Sequence, residues 1–239
     1  GEVWNSADGI HWNLLGPTGH LGDNSGFFYN PFRKKWIFSI RDDNYGRVRN
    51  YHEGSDFFEA SQWKDKETFF WQAADSLDLP DKMIADHISN FPSELYGVDA
   101  VGYESIMLGM FMILRGPHNH LCSIFGFPKL TDLTLGYSRD GFYFSRPDRN
   151  SFIEASRKEN DWSNVYKDGY WDRGYIHAAG GCCLIVGDSL YFYYGGWSGI
   201  SPNYISHLYA GGGIGLAKLR RDGFASFDAD EKGGYIVTN

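Results

Sequence analysis

Apolar positions along this chain come in short runs broken by turn residues, and they alternate with polar ones instead of recurring at a helical period. Three stretches share one order. The first reads DNSGFFYNPFRKKWIFSIR and then GRVRNYHEGSDFFEASQW. The second reads VDAVGYESIMLGMFMILRG and then LTLGYSRDGFYFSRPD. The third reads IHAAGGCCLIVGDSLYFYYGGW and then GGIGLAKLRRDGFASFDA. Each predicts a strand rich in small residues, a turn, an aromatic strand, and a third strand. The third strand ends in Ser/Arg-x-Asp-Gly-aromatic or a near variant, Gly54-Ser55-Asp56-Phe57. There the glycine supplies the positive φ of a hairpin turn.

Asp23, Asp99 and His177 hold matching places in these units, 76 and 78 positions apart. A near-constant period of a three- to four-stranded unit predicts a β-propeller or a similar array. The period exceeds the roughly 40–50 residues of common propeller repeats, so long excursions are required. Residues 60–95 and 146–175, rich in Asp, Lys, Trp and Pro, supply them. A β-sandwich with coincidental Asp-Gly turns is the other all-β arrangement open to this pattern. Helix signals are sparse, and DLPDKMIADHI at 78–88 predicts no more than a short turn of helix.

The opening GEVWNSADGIHWN carries the same turn phrase, Ser6-Ala7-Asp8-Gly9-Ile10-His11-Trp12. It fits the hairpin between the third and outer strands of an earlier unit. The expectation is a single, partial propeller domain over 1–239: a remnant at 1–20 and about three complete blades at 21–95, 96–172 and 173–239.

Composition narrows the partners. Aromatic residues make up 18% of the chain, with 8 Trp, 16 Tyr and 18 Phe beside 30 Gly, a mixture suited to short strands and tight turns. The net charge is −8, whereas a nucleic-acid or anionic-membrane partner asks for the opposite sign. Aromatics and carboxylates in surplus suit a sugar-binding cleft, although most of the rings are expected in the core. Cys122, Cys182 and Cys183 have neither a zinc nor a redox spacing, and adjacent cysteines on a strand face opposite ways. They are expected to be buried free thiols. No apolar run approaches the roughly 20 residues of a membrane span. A cytoplasmic and an extracellular or periplasmic location both stay open.

DNSGFFYNPFRKKWIFSIR, the DAVGYESIMLGMF run, and GGCCLIVGDSLYFYYGG with its closing GIGLAKLRRDGFASFDA resemble bacterial glycoside hydrolase family 32-like proteins. These stand among the five-bladed propellers that include invertases, levansucrases and arabinanases. The resemblance spans essentially the whole chain, with LRRDGFASFDA its most specific part. It implies an all-β, five-bladed β-propeller that hydrolyses a glycosidic bond of a furanoside or short oligosaccharide. It implies three carboxylates around the central tunnel: a nucleophile or base on the first blade, a sugar-fixing Asp, and a general-acid Glu. No redox cofactor is implied, and a structural metal ion near the axis is compatible with it.

On that resemblance Glu104, in Gly102-Tyr103-Glu104 before the apolar IMLGMF strand, is the expected proton donor, although the usual Glu-Cys-Pro is absent. A turn carboxylate is the plainer role. Asp99 is a second carboxylate or the cap of an approach loop. Asp23 is a sugar-positioning or base carboxylate, or an Asx-turn. Arg41-Asp42 is similar to the family's Arg-Asp-Pro, but Asp43 replaces Pro, which favours a salt-bridged loop. Arg47 and Arg49, two apart on a strand, share one face. They either grip a carboxylate or phosphate or pair with nearby acids. His177 opens the third unit and is either an axial residue or a structural, hydrogen-bonded one. Trp171, Asp172 and Trp197 are candidate sugar contacts at the rim. Gly211-Gly212-Gly213-Ile214-Gly215 lacks the Lys-Ser/Thr of a phosphate loop and precedes a strand-like segment.

Two other functions share this fold. One is a propeller glycoside phosphorylase of family 130, with Arg41, Arg47 and Arg49 on phosphate. The other is a carbohydrate-binding propeller without turnover. Because the resemblance puts the nucleophile or base on a first blade, the 239-residue chain alone is expected to be inactive.

Overall fold

Alternation between apolar and polar positions folds into antiparallel strands joined by short turns. The computed structural model describes residues 1–42, 46–125, 127–156, 171–198, 211–226, 228–235 and 237. Among them, β1 (Glu2–Asn5) and β2 (Asn13–Pro17) form a two-stranded hairpin. A four-stranded meander follows: β3 (Gly26–Asn30), β4 (Lys35–Asp42), β5 (Val48–Gly54) and β6 (Phe69–Gln72). The next sheet holds β7 (Glu94–Tyr103), β8 (Ile106–Leu114) and β9 (Thr131–Ser138). In the last sheet β10 (Tyr175–Ala178) and β11 (Leu184–Val186) share one edge of β12 (Ser189–Trp197). β13 (Gly213–Arg220) pairs along the other edge of β12. The chain is all-β, and the glycine-rich 211–215 stretch leads into strand β13, not into a helix.

β8 shows why the sheets stack face to face. Its Met107, Phe111 and Ile113 enter one core cluster with Phe28, Ile37, Tyr51 and Trp71 of the first meander. Its Leu108, Met110, Met112 and Leu114 enter another with Ile176, Leu190 and Phe192 of the last sheet. Successive side chains of a strand point to opposite faces. A central strand with neighbours on both faces therefore reads as one continuous apolar run. This is blade-on-blade packing, as in a propeller.

The helices are short. α1 (Phe57–Ala60) is capped by Asp56, whose side chain accepts from Glu59 N at 2.9 Å. α2 (Lys82–Ala85) falls inside the 78–88 stretch and is capped by Asp81, which accepts from Ile84 N at 3.2 Å. α3 spans Asn119–Phe125. Part of the 146–175 excursion, 157–170, lies outside the described residues.

Two Asp-Gly turns are copies of each other. Ser6 Oγ accepts from Gly9 N at 2.8 Å, and Asp8 Oδ1 accepts from Ile10 N and His11 N, each at 2.8 Å. Ser138 Oγ accepts from Gly141 N at 2.8 Å, and Asp140 Oδ1 accepts from Phe142 N and Tyr143 N, each at 2.9 Å. Gly9 and Gly141 hold φ of 76° and 74°. The other two phrases depart from this geometry. Asp56 caps α1, and Asp222 itself takes the positive φ, at 56°.

Candidate active site

β3, β7 and β10 are edge strands of their sheets, and the aligned positions of the repeat meet where they begin or run. His177 Nε2 lies 2.9 Å from Asn24 Oδ1, and its Nδ1 lies 2.8 Å from Ala178 O. A neutral imidazole donates from one nitrogen only. With Nδ1 donating to the Ala178 carbonyl, Nε2 accepts from the Asn24 carboxamide turned to present its NH2. Asn24 holds φ at 54°, a left-handed conformation that Asn tolerates, and its backbone carbonyl accepts from Arg49 Nη1 at 2.8 Å. A Cβ built on Gly26 would stand 3.4 Å from Asp99 Oδ1, so the Asp99 carboxyl lies against the start of β3.

A bulge between Leu95 and Gly97 shifts the register of β7. It lets Tyr96 and Asp99, three positions apart, share the face of Val101 and Tyr103. Cations gather on the Tyr96 ring: Lys129 Nζ at 4.1 Å, Arg47 Cζ at 5.2 Å and Arg41 Cζ at 5.7 Å from its centroid. Lys129 Nζ also hydrogen-bonds Tyr96 Oη and lies 4.8 Å from the centroid of Tyr175. Arg41 pairs with Asp23, and Arg47 with Glu94.

Asp99 keeps part of its surface open to solvent and makes no hydrogen bond or ion pair among the described residues. Burial pushes its carboxyl up to about 6, with Arg49 opposing the rise. Burial and then repulsion by Arg41 bring Arg49 down to about 10. Burial, with the charges of Arg49 and Lys129 adding to it, lowers His177 and keeps its ring neutral at pH 7. The residues around His177 do not fit a metal ion. Both ring nitrogens are engaged, and no group of three or more His, Cys, Asp or Glu gathers among the described residues.

The structure thus brings together Asp99, Arg49, His177, Arg41, Arg47 and, through Arg41, an exposed Asp23. Glu104 is not among them. It sits at φ 49° in the exposed turn between β7 and β8 and pairs with Arg221. Five strand positions separate it from Asp99, about 16 Å along the strand. Asp42 accepts from Asn50 Nδ2 at 2.7 Å, within its own sheet. Asp172 is buried and accepts from Ser156 Oγ at 2.6 Å and Tyr194 Oη at 2.8 Å, which makes it a clamp on β12. Trp171 stacks on Tyr194 and lies over Gly196 and Gly213. Trp197 packs against Tyr175 and Gly212. All three serve the packing of the last sheet. Cys122, Cys182 and Cys183 are buried free thiols.

Asn24, Glu94, Tyr96, Lys129 and Tyr175 escape a reading of the sequence. Lys129 in particular resembles a loop lysine after Pro128, yet it is fully buried. A cleft of about 410 Å³ runs beside the free edges of β3 and β7, lined by Phe27, Tyr29, Pro31, Trp36, Gly102 and Gly181.

No family model and no curated protein matches the chain. Two solved structures are similar in shape. One is a complex whose name joins BT0996 and RGII, at 11% identity and a TM-score of 0.46, over 91% of this chain and 55% of that one. The other is named "Glycoside hydrolase", at 10% identity and a TM-score of 0.34, over 96% of this chain and 81% of that one. The chain therefore spans about half the length of the first. At these levels neither likeness assigns an activity to it.

Proposed function

We propose that the chain forms part of a carbohydrate-cleaving β-propeller in which Asp99 is the proton-transfer carboxyl and Asp23 the second carboxylate. The observation that carries this reading is the state of Asp99. It is a carboxyl without a partner among the described residues, mostly buried with part of its surface open to solvent, and raised to about 6. A carboxyl tuned toward neutral pH both gives and takes a proton at a useful rate, as cleavage of a glycosidic bond requires. In this scheme Asp99 protonates the leaving oxygen. Asp23, three residues before the glycine that Asp99 abuts, faces the developing positive charge on the sugar ring or the attacking water.

The test pairs binding with cleavage, in the full-length protein that carries this chain, on a panel of furanosides and short oligosaccharides. Saturation-transfer NMR reads binding, and release of reducing ends reads cleavage. Asp99→Asn is expected to leave binding in place and to lower cleavage by about 100-fold or more. Glu104→Gln is expected to keep the wild-type rate. Absence of sugar binding, or an Asp99→Asn variant that cleaves normally, would sink the proposal. Binding across the panel with no cleavage by the wild type would assign the chain to the carbohydrate-binding class instead.

A further inference from the structure

A cleft of about 390 Å³ opens beside the turn that joins β3 to β4, at the other end of β3 from Gly26, the glycine that Asp99 abuts. Its size falls within the range of small-ligand pockets. Arg33 of that turn lines it, with Tyr51 and Glu53 of β5, Phe69 at the start of β6, and the Asp140–Tyr143 turn after β9. None of these residues belongs to the group around Asp99.

The aromatic lining is held in place. Phe142 makes T-shaped contacts with Tyr51 at 4.9 Å and Tyr143 at 4.8 Å, and lies 6.0 Å from Phe69. Asp140 Oδ1 holds the backbone of Phe142 and Tyr143, and Asn30 Nδ2 latches the turn through Asp140 O at 2.7 Å. Yet Tyr143 is 76% exposed and Phe69 51% exposed. Rings that are fixed, open to water and rimmed by polar groups mark a binding surface.

The polar groups are only half used. Arg33 donates from Nη2 to Glu53 Oε1 at 2.6 Å and from Nη1 to Tyr51 Oη at 3.1 Å, and its Nε makes no hydrogen bond among the described residues. Asp140 Oδ1 accepts from Phe142 N, Tyr143 N and Ser138 Oγ, whereas its Oδ2 accepts nothing among the described residues. The turn itself does not impose this. In the copy at residues 6–11, Asp8 Oδ2 is taken by His11 Nδ1 at 2.7 Å, and Tyr143 stands in place of that histidine.

Two carboxylates repel an anion, and Arg33 repels a cation. A proline-rich strand, the other common occupant of an aromatic groove, brings acceptors but no backbone donor to Asp140. A sugar meets every term. Its hydroxyls both donate and accept, and its C–H face packs on the face of a ring.

We propose that this cleft is a second sugar-binding site, which holds a neutral oligosaccharide away from Asp99 and does no chemistry of its own. It does not depend on the reading of Asp99.

Isothermal titration of the full-length protein that carries this chain tests it with four probes: cellotriose, arabinotriose, hexaproline and tetramethylammonium. At least one trisaccharide is expected to bind with a Kd of about 1 mM or tighter, and Tyr143→Ala to weaken it about tenfold. Should Tyr143→Ala fail to fold, Phe69→Ala is expected to weaken the same probe several-fold. Cleavage of single-ring nitrophenyl glycosides is expected to be unchanged by Tyr143→Ala. Failure of both trisaccharides to bind, or full affinity in folded Tyr143→Ala and Phe69→Ala proteins, would overturn the site. So would tighter binding of hexaproline or tetramethylammonium than of either sugar, or loss of single-ring cleavage in Tyr143→Ala. If Tyr143→Ala weakens the sugar while Asp99→Asn cleaves normally, only the reading of Asp99 falls.

Discussion

Asn24 and His177 stand 153 residues apart in sequence and meet at 2.9 Å, so the loop before β3 and the strand β10 are joined. The same Asn24 holds Arg49 through its backbone carbonyl. One residue in a left-handed conformation thus ties His177 to Arg49, the cation whose charge acts on Asp99.

Asp99 makes stability depend on pH with a definite sign. Its carboxyl rises from 3.8 to about 6 on folding, so the folded state holds its proton more tightly than the unfolded chain does. The stability this contributes is fully present below about 3.8 and is lost as pH rises through about 6. Asp99→Asn mimics the protonated form. It is expected to raise the melting temperature at pH 8, by the equivalent of about 2–3 kcal/mol, and to match the wild type near pH 3.5. Thermal melts across this range decide the matter, and an equal shift at every pH would count against the buried-carboxyl account.

Gly9 and Gly141 occupy the same turn at nearly the same φ, yet alanine is expected to cost very different amounts. At Gly9 an added Cβ meets nothing within 4 Å, so only backbone strain of about 1 kcal/mol arises. At Gly141 it would come within 2.3 Å of Asn30 Nδ2. That carboxamide cannot step aside, because Nδ2 donates to Asp140 O and Oδ1 accepts from Phe32 N and Arg33 N. Gly141→Ala is therefore expected to cost about 2 kcal/mol more than Gly9→Ala in urea melts. Equal costs would show that Asn30 is free to move.

The excursion after β6 is held by a buried pair. Arg146 Nη1 and Nη2 meet the two oxygens of Asp78, each at 2.8 Å, and both side chains are shut off from solvent. Arg149 also lies 3.2 Å from Asp78, and Asp75 lies 3.7 Å from Arg146, so Asp78→Ala leaves Arg146 only the long contact to Asp75 and is expected to lose about 3 kcal/mol. The double variant Asp78→Ala/Arg146→Met is expected to recover part of that loss. A double-mutant cycle with no coupling would refute the pair's role.

Much of this architecture is written in the alternation and spacing of residues. The spacing of Asp23, Asp99 and His177 follows the order of the sheets, although Asp23 precedes β3, Asp99 lies midway along β7 and His177 falls within β10. Glu104 misleads for a local reason. An apolar run after a Glu marks the start of a central strand, and the start of β8 lies at the exposed turn, five positions of β7 away from Asp99. Tyr96 and Lys129 are hidden by a different mechanism. A one-residue bulge in β7 has no clear sequence mark, and the burial of Lys129 depends on two tyrosine rings 33 and 46 positions away in the chain. Trp171 and Trp197 carry the right chemistry for a sugar contact, but glycines on β12 and β13 leave hollows that the indoles fill.

The paired Ser-x-Asp-Gly turns also bear on the order in which the chain folds. The Ser138 and Asp140 side-chain bonds that shape residues 138–143 are made within six positions, so the turn's own bonds close locally. Asn30, 110 residues away, latches onto it only when the sheets dock. Ser138→Ala is thus expected to slow refolding, and Asn30→Ala to speed unfolding with little effect on refolding, a contrast that stopped-flow kinetics resolves. The repeat would then assemble from hairpins that each carry their own starting point.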